Sequence, residues 1–415
     1  MPICSMPCLP WAQSGSVRSD GNGGMESGEP AVLFDGTAAP GPAPAAPILR
    51  VISTHATAAS PFSIPILSAD FHVGRVPIFV ENELARLYGH LYSSLPFIRL
   101  FRPMQDVSTY VSRKDDRVVA VLLYRKRRGC VTVLNEYCTL DQAALQRFTT
   151  DVFDTFADVD VVRLHHLDTD LRALAMPFQR HACSEDYVLA LPATVDAYTG
   201  LLGKSTRRNI KRYSAKLLDD HPSFTLRFHA GAEIDIRQLR MLLRMSEAKI
   251  RSKGRCFAVD ADFAERMLIL ATQCGFVAVA TIDGKLCAGL ICFRNGAHYV
   301  AKVVAHDSAF DDYWLGTLCY YRTICEAIRR GGSVFNLGMQ RYDYKTRLLG
   351  IRRDLDSVAI YRSRQAQLRR IDHVLDMAND DLLRRVKLHL LARQGSVLTH
   401  SAMQVVKGWR WLRSR

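Results

Sequence analysis

Signatures of metal, nucleotide and covalent catalysis are missing from this 415-residue chain. Its eleven cysteines are scattered, with no Cys-x-x-Cys pair and no zinc-finger spacing to histidine, so nothing points to a metal. There is no P-loop, no Gly-x-Gly-x-x-Gly, no Gly-x-Ser-x-Gly elbow and no His-Glu-x-x-His. Phosphoryl transfer on a P-loop, dinucleotide redox chemistry, acyl-enzyme chemistry on an elbow serine and zinc proteolysis therefore have no sequence support. No apolar run reaches the length of a membrane span. The first residues lack the basic stretch and apolar core of a secretion signal. Cys287, Cys292, Cys319 and Cys325 sit in apolar runs, where a thiol packs as a small core residue. A reduced, cytoplasmic setting is the expectation.

What is present is a large apolar fraction, 48%, and a net charge of +14. The first supports packed cores; the second points to an anionic partner. Residues 1–70 are rich in Gly, Ser, Pro and Ala and read as a disordered tail, because they cannot bury enough surface to offset ordering entropy. Residues 71–195 give a helix, a hairpin (118–124 and 130–135), a helix (141–156), a strand (159–164), a short helix (171–176) and a strand (186–191). Residues 196–365 repeat that order. Residues 366–415 form a basic helical tail ending in Trp409-Arg410-Trp411-Leu412-Arg413, whose aromatics either pack on the domain or touch a membrane surface.

The richest stretch is Cys287 to Lys345. A buried strand (286–293), an Asn295-Gly296 turn and a second strand (298–305) form a hairpin, since Asn-Gly supplies the positive φ such a turn requires. Tyr313-Trp314-Leu315 then leads into Gly316-Thr317 at the mouth of an apolar helix. A glycine there lets backbone N–H groups approach an anion closely. Lys302, inside an otherwise apolar strand, is costly to bury alone, and pairing to Asp307 or Asp343 is expected. Upstream, 204–216 holds six Lys or Arg and no acid. Lys204, Arg207 and Lys211 share one helical face, open either to solvent or to a polyanion.

The run Lys204-Ser205-Thr206-Arg207-Arg208-Asn209-Ile210-Lys211-Arg212, then Glu247, Lys302-Val303-Val304-Ala305-His306-Asp307, Gly316-Thr317, Asn336-Leu337-Gly338 and Tyr344-Lys345 resemble, in that order, the CelD/BcsL-like proteins of the GNAT acyltransferase superfamily. Ile250 and His306 stand where that family usually has aromatic residues. The resemblance implies an α/β (α+β) fold of tandem GNAT-like halves, each a mixed, mainly antiparallel sheet flanked by helices, with acetyl-CoA as acyl donor and no metal. More distantly the chain resembles the Fem-type aminoacyl transferases.

On that resemblance Lys302, Val303, Val304, Trp314, Leu315, Gly316 and Thr317 bind the cofactor, with a strand bulge supplying a donor to the thioester carbonyl. Glu247 or Asp307 is the general base; His306 has a suitable intrinsic pKa for the same task. Tyr344 and Lys345 protonate the leaving thiolate and hold substrate. Lys204, Arg207, Arg208, His306 and Asp343 contact the acceptor. The acceptor is an amine or hydroxyl on a sugar nucleotide, glycan precursor or similar small molecule, with nucleic acid as a partner only in the Fem-type alternative. A non-catalytic partner protein with a degenerate cleft is the rival of another class.

Overall fold

The computed structural model describes residues 48–53, 67–252, 261–339 and 341–392. Two strand-rich halves follow one another. The first contains β1 (Ile48–Ser53), β2 (Leu67–His72), α1 (Val80–Leu87), α2 (Leu95–Phe101), β3 (Val107–Lys114), β4 (Arg117–Arg127), β5 (Cys130–Val133), α3 (Gln142–Thr155), β6 (Val161–Leu167) and β7 (Phe178–Ala190). Helices α4 (Val195–Leu201) and α5 (Lys204–Asp220) connect it to the second. That half contains β8 (Thr225–Ala230), α6 (Ile236–Arg251), α7 (Ala261–Cys274), β9 (Gly275–Ile282), β10 (Lys285–Asn295), β11 (His298–His306), α8 (Leu315–Arg329), β12 (Val334–Met339), α9 (Asp343–Arg347) and β13 (Ile351–Tyr361). Two further helices, α10 (Arg364–Arg369) and α11 (Ile371–Ala392), follow.

The strands join in one mixed sheet of order β1-β2-β3-β4-β5-β6-β13-β7-β12-β11-β10-β9-β8. Its symmetry is plain. Each half is an antiparallel meander that reaches one parallel pair, β5 with β6 and β11 with β12, across a helix. The halves then exchange their last strands. β7 of the first half pairs with β12 of the second, while β13 of the second pairs with β6 of the first; β7 and β13 pair with each other at the centre. The fold is thus the expected mixed α/β class with tandem GNAT-like halves.

Helices cover both faces because each carries an apolar stripe. On one face α8 buries Leu315, Leu318, Tyr320, Ile324 and Ile328 against Phe276, Leu290, Tyr299 and Phe335. On the other, Leu239, Leu242 and Leu243 of α6 and Leu268 of α7 meet Val277, Ile291, Phe293 and Val300, joined there by Leu91, Tyr92 and Tyr137 of the first half. Among the described residues no helix is long and apolar enough to cross a membrane.

Three local expectations fail. β1 and the start of β2 fall within the stretch read as disordered; β1 pairs along its whole length with β2. Residues 171–176 form no helix, because their N–H groups are taken by α3: Arg172 and Ala173 donate to Gln142 Oε1 and Ala175 to Gln146 Oε1. β3 is absent from the sequence reading because Ser108, Thr109 and Ser112 are buried, which erases the apolar alternation that marks a strand. The Pro/Gly-rich segment 36–44 and the Trp409–Arg413 tail lie outside the described residues.

Candidate active site

Strand β11 is built to open a cleft. Its register against β10 pairs Ala301 with Cys292 and Val303 with Ile291, so Lys302 is an inserted bulge residue. Such an insertion turns consecutive side chains to one face. Lys302 places its Nζ 4.4 Å from the Tyr92 ring centre, and Val303 packs on the same cluster. The Tyr92 ring is thus one contact of this ammonium.

On its other edge β11 meets β12 at only three positions, His298 with Val334, Tyr299 with Phe335 and Val300 with Asn336. The two then part, and β12 follows β7, pairing Met339 with Asp186. The residues of β12 dictate this departure. Asn336 Oδ1 accepts from the Gly338 N–H at 2.8 Å, and Gly338 has φ +78°, a conformation glycine adopts freely. Lys345 is buried and donates to the carbonyls of Gly338 and Met339. Residues 302–306 therefore have no strand paired to them on this edge among those described, and Gly338 is the last residue of β12 near it, a Cβ there standing 3.4 Å from Ala301 O.

Helix α8 begins beside that edge. Its N-cap, Trp314, is left-handed (φ 59°, ψ 27°) and its side chain does not cap the helix; the Thr317 N–H donates to the Trp314 carbonyl at 3.0 Å. Gly316 lies against the end of β11: a Cβ there would stand 3.3 Å from His306 Nδ1 and 3.8 Å from Val304 Cγ2. Leu315 and Thr317 are buried in the same turn.

The equivalent place in the first half is closed. Beyond β5 and β6 the chain stays zipped: Tyr137 N–H donates to His166 O, Asp168 N–H to Cys138 O and Leu140 N–H to Asp168 O. The N-terminus of α3 is filled by carboxylates, Asp141 accepting from Ala144 N–H at 2.7 Å and Asp170 from Gln142 N–H at 3.0 Å. One fold is thus used twice, with a single open cleft.

Around the cleft, the expected residues distribute unevenly. His306 sits at the α8 end, four residues and about 13 Å of strand beyond the bulge. Its Nε2 lies 2.5 Å from Lys249 Nζ and 2.8 Å from Asp311 Oδ1. Burial alone would raise the Asp311 carboxyl, but the Lys249 charge and the hydrogen bonds from His306 and Lys249 outweigh it and hold the group low. This trio stands at the end of β11 beside Gly316. Lys249 and Asp311 escape sequence reading because each is one charge among many on its segment.

Asp307 caps the 3-10 turn 308–313, its carboxylate accepting from Ala309 N–H. Glu247 is half-buried on α6 and ion-paired at 2.6 Å with Arg251. Tyr344 stands over Tyr320, one turn beyond Gly316 on α8, with their hydroxyls 3.5 Å apart. Asp343 is exposed. Lys345 is buried, its ammonium donating to carbonyls at the end of β12.

Helix α5 leans on the same loop by another face. Tyr213 packs 5.5 Å from Trp314, Tyr313 donates to Asp220 at 2.9 Å, and Lys216 lies 4.7 Å from the Tyr313 ring. This contact stripe leaves Lys204, Arg207, Arg208 and Lys211 exposed and turned elsewhere. Arg212 and Lys216 are the basic residues beside the loop. No group of three or more His, Cys, Asp or Glu able to hold a metal occurs among the described residues.

Residues 204–346 match the family model for an acetyltransferase (GNAT) domain. No curated protein matches the chain. Among solved structures, FemX aligns at 10% identity over 68% of this chain and 96% of its own, with a TM-score of 0.51. A tandem GNAT protein from the clavulanic acid biosynthesis pathway aligns at 11% identity over 70% and 98%, TM-score 0.35. The C-terminal domain of a putative lysylphosphatidylglycerol synthetase from Agrobacterium fabrum aligns at 10% identity over 61% and 85%, TM-score 0.37. The segment from α5 to α9, which holds the open cleft, is therefore the part of this chain that matches the GNAT acetyltransferase domain family.

Proposed function

We propose that the chain is an acyl-CoA-dependent acyltransferase, with acetyl-CoA as donor. The observation that carries this reading is the parting of β11 from β12 after three paired residues, beside an uncapped α8. The arrangement suits the molecule. The amides of a pantetheine arm pair along the free edge of Lys302–His306 as a strand would. The N–H groups of Leu315 and Gly316 meet the pyrophosphate, with Lys249 beside them. The backbone at the Lys302 bulge faces the thioester carbonyl, and Tyr344 is placed to return a proton to the sulfur. With no nucleophile elbow in the sequence, the acceptor attacks directly. A sugar nucleotide or glycan precursor is the acceptor class, on the resemblance to the CelD/BcsL-like proteins. Isothermal titration with acetyl-CoA tests the reading: micromolar binding is expected, and no heat at millimolar ligand overturns it.

A second reading is a Fem-type transferase using aminoacyl-tRNA. It is favoured by the exposed basic face Lys204–Arg207–Arg208–Lys211, which is turned from the loop and available to a polyanion. Titration with tRNA at 50 and 200 mM salt separates the two. Micromolar binding with a steep salt slope supports this reading, and no binding at 50 mM salt removes it.

A further inference from the structure

At the outer edge of the sheet, between α5, β8 and α8, lies a cavity of about 200 Å³. β8 ends the strand order and pairs with β9. Leu226 and Phe228, two residues apart on β8, share one face and pack on the core beneath α8. From α5, Ser214 and Leu217 line the space. From α8, Leu315, Leu318 and Cys319 line its N-terminal part, and Arg322 and Arg329 its C-terminal part. At 3.6 residues per turn these five fall within about 100° of one another, and the Gly316 position lies about 110° from their middle. The cavity and the acyl-CoA cleft therefore use different faces of one helix.

The lining is apolar at one end and basic at the other. Phe224, Leu226 and Phe228 are half-buried and Leu218 is exposed, so apolar surface is left facing the space. Burial pushes the Cys319 thiol up to about 12, which keeps that wall neutral. Arg322 is exposed, and no ion pair is seen for it among the described residues. Arg329 shares Glu326 with Arg330, at 3.2 and 2.9 Å, so along this stretch of α8 three guanidinium groups stand against one carboxylate. An apolar recess with a basic rim complements an amphiphile with an anionic head. Its size sets the tail: a dry cavity of about 150 Å³ takes a benzene ring, so this one takes a short chain rather than a long one. Leu315 and Arg322 are two turns apart on the same stripe, about 10 Å along the axis, close to the length of an extended eight-carbon chain.

We propose that this cavity binds a free medium-chain fatty carboxylate. Its tail lies against Leu217, Leu226, Leu315 and Leu318. Its carboxylate meets Arg322, with Arg329 beside it. A guanidinium fork matches a carboxylate in two parallel hydrogen bonds, which a hydroxyl cannot form. The site makes and breaks no bond, and it stands whether or not the chain uses acyl-CoA.

The test is isothermal titration of the full chain with octanoate, hexanoate, octanol and octyltrimethylammonium, with thermal melting and sedimentation velocity alongside. Octanoate is expected to bind saturably below millimolar concentration. Hexanoate is expected to bind about tenfold more weakly, because each methylene contributes about three- to fourfold. Octanol is expected to bind about tenfold more weakly as well, and the ammonium not at all. Arg322→Gln, an exposed change, brings octanoate to the octanol level with an unchanged melting temperature. Ser214→Trp fills the cavity and abolishes binding; if that variant melts early, Arg322→Gln decides alone. No saturable binding of octanoate at millimolar ligand overturns the proposal. So do equal affinities for octanoate and octanol, no dependence on chain length, or full affinity in Arg322→Gln. A ligand-free dimer that Ser214→Trp dissociates gives the cavity to a second copy of the chain and overturns it too.

Discussion

Lys345 ties the helix after β12 to the strand beside the cleft. Its ammonium is buried and donates to the carbonyls of Gly338 and Met339, so it ties α9 to the end of β12. Replacing it by Met strands two carbonyls in the interior and is expected to cost about 2–4 kcal/mol, read as a lowered urea midpoint. Sequence order pointed to Lys345, but its burial is a tertiary property that sequence order does not show. Glu136 is a second such residue. Burial alone would raise its carboxyl, yet His166 and Arg102 pull it down to about 2. A depressed folded value stabilises above the unfolded one and is lost as pH falls, here between about 4.5 and 2. Glu136→Gln is therefore expected to lose about 3 kcal/mol at pH 7 and much less near pH 3, measured by urea unfolding.

At the scale of elements, α3 and α8 are counterparts with opposite N-termini. Asp141 and Asp170 close α3, while α8 opens on a left-handed Trp314 and a glycine pressed against His306. Asp141→Ala is expected to lower stability by about 1 kcal/mol and leave acetyl-CoA affinity unchanged. Gly316→Val is expected to weaken acetyl-CoA binding at least tenfold, about 1.4 kcal/mol, with a smaller effect on melting. Titration calorimetry and thermal melts on the same two variants read both pairs of outcomes. The Asn295-Gly296 hairpin, the Gly316 helix mouth and the strand order around them were legible because turn chemistry and apolar periodicity are local. The bulge at Lys302, the capping by Asp307 and the Lys249–His306–Asp311 trio were not, since each depends on a register or a neighbour far along the chain.

For the whole molecule, the exchange of β7 and β13 means that neither half owns the strand that completes its sheet. The division at 195/196 drawn from sequence marks a repeat of element order, not two independent folds; polar residues such as Gln179, Arg180 and Ser184 hide the length of β7. Fragments 71–195 and 196–384 expressed separately are expected to show no cooperative melt, whereas the full chain unfolds in one transition. Two resolved transitions in a calorimetric scan would contradict this. The cleft makes the most direct claim, that one half is open and its twin shut. Amide hydrogen exchange with and without acetyl-CoA tests it. The account predicts new protection at 302–306 and 315–316, with 137–144 unchanged. Protection at 137–144, or none at 302–306 and 315–316 under saturating ligand, would contradict it.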